Sequence, residues 1–192
     1  MELDAFFKAE LTEHADVLAA THAQLGEPFA RLVGICATAV RDGGKIVFFG
    51  NGGSAADAQH LATELTIRYK EDRGPIPGLA LTTDTSALTA APNDMGFDQV
   101  FARQILALCQ PGDVAIAIST SGNSANIICG LEAAREIGAV AAGFGGKGGG
   151  KMRTLADPCL LVPSDDTARI QEMHITLGHM LCGALEKELG LL

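Results

Sequence analysis

The chain has 192 residues, is 47% hydrophobic, and carries 23 Gly, no Trp and 14 basic against 23 acidic residues, a formal charge of −9. This length fits one domain with a full core. The acidic balance excludes nucleic-acid binding through a broad basic surface, so an anionic ligand must be held locally by N–H groups, hydroxyls and one or two cations.

Residues Glu2 to Gln24 place Leu3, Phe6, Phe7, Leu11, Ala15 and Leu18 at close to helical spacing, with Leu25 continuing the stripe. Pro28 is a fitting helix start, and Phe29 to Val40 is a second helix stopped by Asp42-Gly43-Gly44. Five apolar runs then end in turn-forming or polar residues: Ile46–Phe49, Leu79–Leu81, Val114–Ile118, Val140–Phe144 and Cys159–Val162. Between them Ser54–Tyr69, Phe97–Leu108, Ser124–Ile137 and Met152–Leu155 have helical character, and Thr167–Leu189 is a long final helix stopped by Gly190. Alternation of strand and helix implies an α/β domain with a mainly parallel sheet covered on both faces. The layout is N-terminal helices over residues 1–42, an α/β core over 43–165 and a C-terminal helix over 166–192. Cys36, Cys109, Cys129, Cys159 and Cys182 lack any CxxC spacing and are expected as buried small hydrophobes. Glu2 and Asp4 argue against a signal peptide. Val114–Leu131 is uncharged but contains Ser-Thr-Ser-Gly-Asn-Ser, which argues against a membrane span. The cytoplasm is the default compartment.

The most informative stretch runs from Lys45 to Arg68. A buried strand breaks at Gly50-Asn51-Gly52-Gly53-Ser54 and resumes as an Ala-rich helix, whose N-terminus offers free N–H groups and a positive dipole end to a phosphate. A second unit repeats the plan: Gly112-Asp113-Val114 leads to Ser119-Thr120-Ser121-Gly122-Asn123-Ser124 before another helix. Each loop alone is compatible with ordinary Ser caps and Gly turns. Two at comparable strand ends favour a ligand crevice at the carboxyl edge of the sheet. Gly50-x-Gly52-x-x-Ala55 lacks the acidic ribose partner of a dinucleotide fold, and Gly145…Gly150-Lys151 has Met152 where a P-loop needs Ser or Thr. Both nucleotide readings are discounted, and residues 143–150 are taken as a flexible Gly-rich loop.

His60 and Glu64 share a helix face, as a metal-ligand or acid–base pair or as a solvated surface pair. Arg68 extends their stripe, to pair with Glu64 or to meet a phosphate. On the final helix Gln171 and His179 lie about two turns apart; spacing alone aligns Glu172 better with His179 and does not choose between them. His174 is ambiguous, and His14 and His22 are expected at the surface.

Gly50 to His60, Asn93-Asp94, Ser119 to Ser124 and Arg169-Ile170-Gln171-Glu172-Met173-His174 together resemble the bacterial phosphoheptose isomerases of the sugar-isomerase (SIS) domain superfamily. The resemblance spans the whole chain. It implies a flavodoxin-like three-layer sandwich and a homotetramer with shared active sites. It also implies conversion of sedoheptulose 7-phosphate to glycero-manno-heptose 7-phosphate, at the start of ADP-heptose synthesis for lipopolysaccharide. Carried over position by position, one Zn²⁺ per subunit falls on His60, Glu64, Gln171 and His179. Substrate contacts fall on Asn51, Gly52, Gly53, Asn93, Asp94, Ser119, Thr120, Ser121 and Ser124, with Ser54, Glu64, Arg68 and Gln171 beside them. An aldose–ketose isomerase needs a carboxylate base near the carbon acid and a proton donor at the oxygens; Glu64 and His179 are the candidates. Pro92 and Met95 depart from the family's usual residues around Asn-Asp, which keeps another phosphosugar open. The superfamily also contains a non-catalytic relative that binds the replication initiator protein; it has lost the Glu position that Glu64 retains here.

Overall fold

The apolar runs become a five-stranded sheet because each is too short and too continuously hydrophobic to be anything but a strand buried on both faces. The computed structural model describes residues 2–192. In chain order the elements are α1 (Leu3–Gln24), α2 (Gly26–Arg41), β1 (Ile46–Gly50), α3 (Gly53–Thr66), β2 (Gly78–Ala80), α4 (Thr85–Met95), α5 (Val100–Leu108), β3 (Val114–Ser119), α6 (Ala125–Glu136), β4 (Val140–Gly145), β5 (Cys159–Leu161) and α7 (Thr167–Glu188). The strand order is β2-β1-β3-β4-β5 and every neighbouring pair is parallel. This is the flavodoxin-like winding, whose order reverses between β1 and β3 and so opens a crevice at their carboxyl ends. The expected "mainly parallel" sheet is parallel throughout.

Alternate residues of each strand feed two cores. Ile46, Phe48, Val114, Ile116 and Ile118 pack with α2, α3 and α7, while Val47, Phe49, Ala115 and Ala117 pack with α5 and α6. At the amino edge the repeated units are joined by their own charges. Asp113 Oδ1 accepts from the Lys45 backbone N–H at 2.8 Å and Oδ2 from Lys45 Nζ at 2.6 Å and the Gln110 N–H at 2.8 Å. Burial opposes ionisation of Asp113, yet these bonds hold its carboxyl below the usual carboxylate range.

Three departures from the sequence reading have physical causes. Helix α4 occupies a segment that the sequence left unassigned, because Pro92 lies inside it and none of its residues is buried. A usable signal was present: Asp84 accepts hydrogen bonds from the Ser86 and Ala87 N–H groups as an N-cap. Helix α3 ends at Thr66 rather than Tyr69, so Arg68 leaves the stripe of His60 and Glu64. The Gly-rich segment after β4, Lys147–Thr154, is a pair of short 3-10 turns kinked at Gly148–Gly150, and it braces the serine loop. The Met152 N–H donates to the Gly122 carbonyl at 2.9 Å and the Lys151 N–H to Asn123 Oδ1 at 3.1 Å. A Cβ on Gly122, whose φ is +63°, would overlap the Gly149 carbonyl, and one on Gly149, whose φ is +88°, would crowd Arg153 and Leu161, so both positions need glycine.

Helix α1 lies on the outside, with Thr21 its one buried residue. Arg169 of α7 anchors it by donating from Nη1 to the Glu10 carbonyl and by pairing with Glu10 at 3.2 Å. His14, expected at the surface, is half-buried in the same contact; its Nδ1 is 2.8 Å from Glu172 Oε2. His174 is fully buried and its Nε2 donates to the Gly145 carbonyl at 3.1 Å. Cys36, Cys109 and Cys182 are buried, Cys129 and Cys159 partly so, and all five are free thiols. No described helix is long and apolar enough to cross a membrane.

Candidate active site

The carboxyl edge of β1 and β3 carries a small polar cavity of about 80 Å³, lined by Asn51, Ser54, Ile118, Ser119, Thr120, Ser121, Ser124 and Gln171. Seven of these eight are residues that the sequence singled out, drawn from three distant stretches. None is charged, so the cavity presents hydroxyls and amides, beside the N-termini of α3 and α6. Ser124 stands at the N-cap of α6 without using its side chain as a cap, which leaves the hydroxyl free. Ser119 Oγ accepts from the Gly122 N–H at 3.1 Å and Ser121 Oγ from the Asn123 N–H at 3.3 Å, fixing the loop's curvature. At the start of α3, Gly52 and Gly53 are exposed, and a Cβ on Gly53 would come within 2.8 Å of Gln171 Nε2. The Gln171 amide therefore lies directly over the first turn of α3.

Asn126, absent from the sequence reading, braces the cavity. Its amide and that of Asn51 exchange hydrogen bonds at 2.9 and 2.8 Å, and Asn126 is buried. No motif marks it; only its place in the first turn of α6, two residues after Ser124, could have suggested it.

Further along the same two helices, α3 and α7 bring a second group together. His60 Nε2 and His179 Nε2 are 2.8 Å apart, and Glu64 Oε1 is 3.5 Å from His60 Nε2. The two imidazoles share a hydrogen bond, so one ring carries its proton on Nε2 and the other accepts. Burial first, then the charge of His60, holds His179 below the ordinary imidazole range, with Glu64 opposing. Among the described residues no group of three or more His, Cys, Asp or Glu is arranged to hold a metal ion. The donor chemistry of the group, two imidazoles and a carboxylate, nonetheless suits zinc, whereas the Gln171 amide lies over Gly53 at the cavity.

The remaining candidates stand apart. Asn93 and Asp94 are exposed at the end of α4, and Asn93 Nδ2 donates to Asp94 Oδ1 at 2.7 Å. Arg68 is exposed beyond the end of α3 and makes no hydrogen bond or ion pair among the described residues. The geometry thus offers an uncharged anion cavity and a His–His–Glu group, both framed by α3 and α7.

A family model described as the SIS domain matches residues 11–146. The chain is 58% identical to a phosphoheptose isomerase of Paramagnetospirillum magneticum, over 97% of each chain. It is 54% identical to one of Aquifex aeolicus, over 91% of this chain and 92% of that one. Among solved structures, a phosphoheptose isomerase from Neisseria gonorrhoeae superposes with a TM-score of 0.90 at 41% identity, covering 96% of this chain and 99% of that one. One from Francisella tularensis superposes at 0.94 with 31% identity, covering 97% and 100%.

Proposed function

We infer the reaction from a membership: the chain belongs to the phosphoheptose isomerases, SIS-domain enzymes that act on phosphosugars. It is an aldose–ketose isomerase that converts sedoheptulose 7-phosphate to glycero-manno-heptose 7-phosphate, in heptose metabolism that leads to the lipopolysaccharide precursor ADP-heptose.

The observation that carries the reading is the spacing of the two groups along shared helices. Ser54 and Glu64 are ten residues apart on α3, and Gln171 and His179 eight apart on α7. A seven-carbon chain laid between α3 and α7 would have its phosphate in the serine cavity and its carbonyl end toward Glu64. In that pose Ser119, Thr120, Ser121 and Ser124 donate hydroxyls to the phosphate, and the first N–H groups of α3 and α6 face it. Asn51 and Gln171 orient the chain above them. Glu64 takes the proton from the carbon next to the carbonyl and returns it to the neighbouring carbon. His179 exchanges the proton between the oxygens.

His60, Glu64, Gln171 and His179 are the residues that would hold Zn²⁺, one per subunit, and Glu64 and His179 would serve as base and acid only when released from it, since a ligating nitrogen has no proton to give. When bound, the ion supplies Lewis-acid polarisation of the carbonyl oxygen and stabilises developing negative charge there. Asn93, Asp94 and Arg68 are assigned to the sugar through a neighbouring subunit, because they stand away from the cavity within one chain. The assembly proposed is a homotetramer. Five free thiols and a phosphorylated substrate fit the cytoplasm.

The test is turnover of sedoheptulose 7-phosphate by wild type and Glu64→Gln. The variant keeps the shape of the side chain but accepts no proton, so kcat should fall by about 10²–10⁴-fold, the range for loss of a general base. Near-normal turnover by Glu64→Gln would refute the assignment of the base.

A further inference from the structure

Tyr69 belongs to none of the motifs and lies in the loop after α3, yet it is the aromatic ring that faces His179. The two rings are stacked at 5.5 Å between centroids with 25° between their planes, inside the range of favourable aromatic pairs. Room for the ring is made on α7 itself. A Cβ on Gly183, one turn beyond His179, would stand 3.1 Å from Tyr69 Cε1. Lys70 Nζ lies 5.1 Å from the centroid of the same ring.

The loop that carries Tyr69 is clamped from below. The Tyr69 N–H donates to Glu186 Oε1 at 3.3 Å, and Arg73 Nε donates to the same oxygen at 3.0 Å. The Arg73 and Glu186 side chains are 1% and 2% exposed. Arg73 also donates from Nη2 to the Glu64 carbonyl at 2.8 Å, and from Nη1 to the Leu65 carbonyl at 2.7 Å and the Gly74 carbonyl at 3.1 Å. Glu64 and Leu65 are in the last turn of α3, where carbonyls lack helical partners. One buried ion pair thus ties the end of α3, the Tyr69 loop and α7 into a single unit. A buried pair is weak evidence for stability by itself; this one fixes geometry at the two helices that carry Glu64 and His179.

A reacting imidazole is normally held by a partner on its second nitrogen. Among the described residues His179 has one side-chain hydrogen bond, to His60. A single bond fixes a point on the ring and leaves its plane free to turn about that bond. The stack on Tyr69 removes that freedom. We propose that Tyr69 is the positioning residue of His179, with the Arg73–Glu186 clamp and Gly183 setting the height and tilt of its ring. The inference rests on the role assigned to His179 above. It needs the aromatic face of Tyr69 and not its hydroxyl.

The experiment compares Tyr69→Phe, Tyr69→Leu, Tyr69→Ala and His179→Ala with wild type. The assay is turnover of sedoheptulose 7-phosphate, and the second readout is the NMR resonance of the His179 ring Cε1–H in metal-free protein. Tyr69→Leu and Tyr69→Ala should lower kcat about 10–100-fold, the loss typical of removing an orienting partner, with KM within about twofold of wild type. In both, the His179 resonance should move downfield as the ring current of the stacked face is lost. Tyr69→Phe should keep both kcat and the resonance position. Tyr69→Leu, which fills the space without a ring, separates stacking from simple packing. Inactive His179→Ala beside unimpaired Tyr69→Ala and Tyr69→Leu would overturn this inference alone. Fully active His179→Ala would overturn the role of His179, and this inference with it. Loss of kcat in Tyr69→Phe equal to that in Tyr69→Ala would overturn it in favour of a role for the hydroxyl.

Discussion

His174 sits in α7 between the two proposed site residues, three positions after Gln171 and five before His179, yet it points into the core. Its Nε2–H is satisfied by the Gly145 carbonyl, while Nδ1 has no partner and the Phe144 ring lies 6.1 Å away. Adding a proton at Nδ1 would bury a charge and an unsatisfied donor together, and burial accordingly pushes its pKa down to about 4. The sign of the resulting pH dependence follows from which state binds the proton first. The unfolded chain protonates His174 near its ordinary 6.5, whereas the folded chain resists until about 4. Its contribution to stability is therefore complete above pH 6.5 and is lost as pH falls from 6.5 toward 4, at most about 3 kcal/mol over the full window. Urea unfolding of wild type and His174→Gln across pH 4.5–7 should show a flatter curve for the variant, which keeps a donor for Gly145 but does not titrate. Parallel curves would show that His174 does not titrate differently on folding. The sequence could not distinguish this histidine from the other two candidates on α7 and α3. All stand at helical spacings from polar neighbours, and only the packing of β4 against α7 separates a core imidazole from a site one.

The serine loop works as an element because a second loop presses against it. Gly122 and Gly149 meet backbone to backbone, and the N–H groups of Met152 and Lys151 hold Gly122 and Asn123 in place. The hydroxyls are therefore set before any phosphate arrives, which lowers the ordering cost of binding. Ser124 is the clean probe, because it caps nothing, while Ser119 also holds Gly122. Ser124→Ala should weaken binding of sedoheptulose 7-phosphate by about 1.5–3 kcal/mol, the worth of a hydrogen bond to a charged group, with little change in melting temperature. Calorimetric titration giving unchanged affinity would place the phosphate elsewhere. The strands and the helices flanking them were legible because apolar runs and glycine-rich breaks alternate cleanly from Ile46 to Val162. Helix α4 was not, since Pro92 reads as a breaker and the helix lends only the half-buried Leu88 and Ala91 to the core, too few for a periodic stripe. The brace made by residues 147–154 was equally hidden. A run of glycines reports freedom, not the carbonyl it makes room for.

For the whole molecule, the feature least explained by a single chain is α1. Leu3 is 77% exposed and Phe7 62%, and Phe6, Leu11 and Leu18 are also open to water, so a long apolar stripe has no partner within the fold. This supports the proposed tetramer. Light scattering should give four copies at working concentration, and a stable, fully active monomer would refute it. The proposed zinc site can be read at the same scale. Its four residues lie on α3 and α7, more than a hundred positions apart in sequence, so binding requires the folded state. Zinc should then raise the melting temperature by mass action, by about 2.7 kcal/mol of stability at a hundredfold excess over Kd. An equal shift in His179→Ala would disprove the four-ligand site. The position of α7 at the end of the element order has a consequence for how the protein is made. Ribosomes release β1 to β5 and α3 first, so a nascent chain stalled after β5 already owns its serine loop and its carboxylate. It lacks His179, the Gln171 amide and the glutamate that clamps Arg73. Helix α7 also buries Ile170, Met173, Leu177, Leu181 and Leu185 in the core, so a chain interrupted before it lacks one covering layer of the sheet as well as part of the proposed site, and completing α7 completes fold and site together.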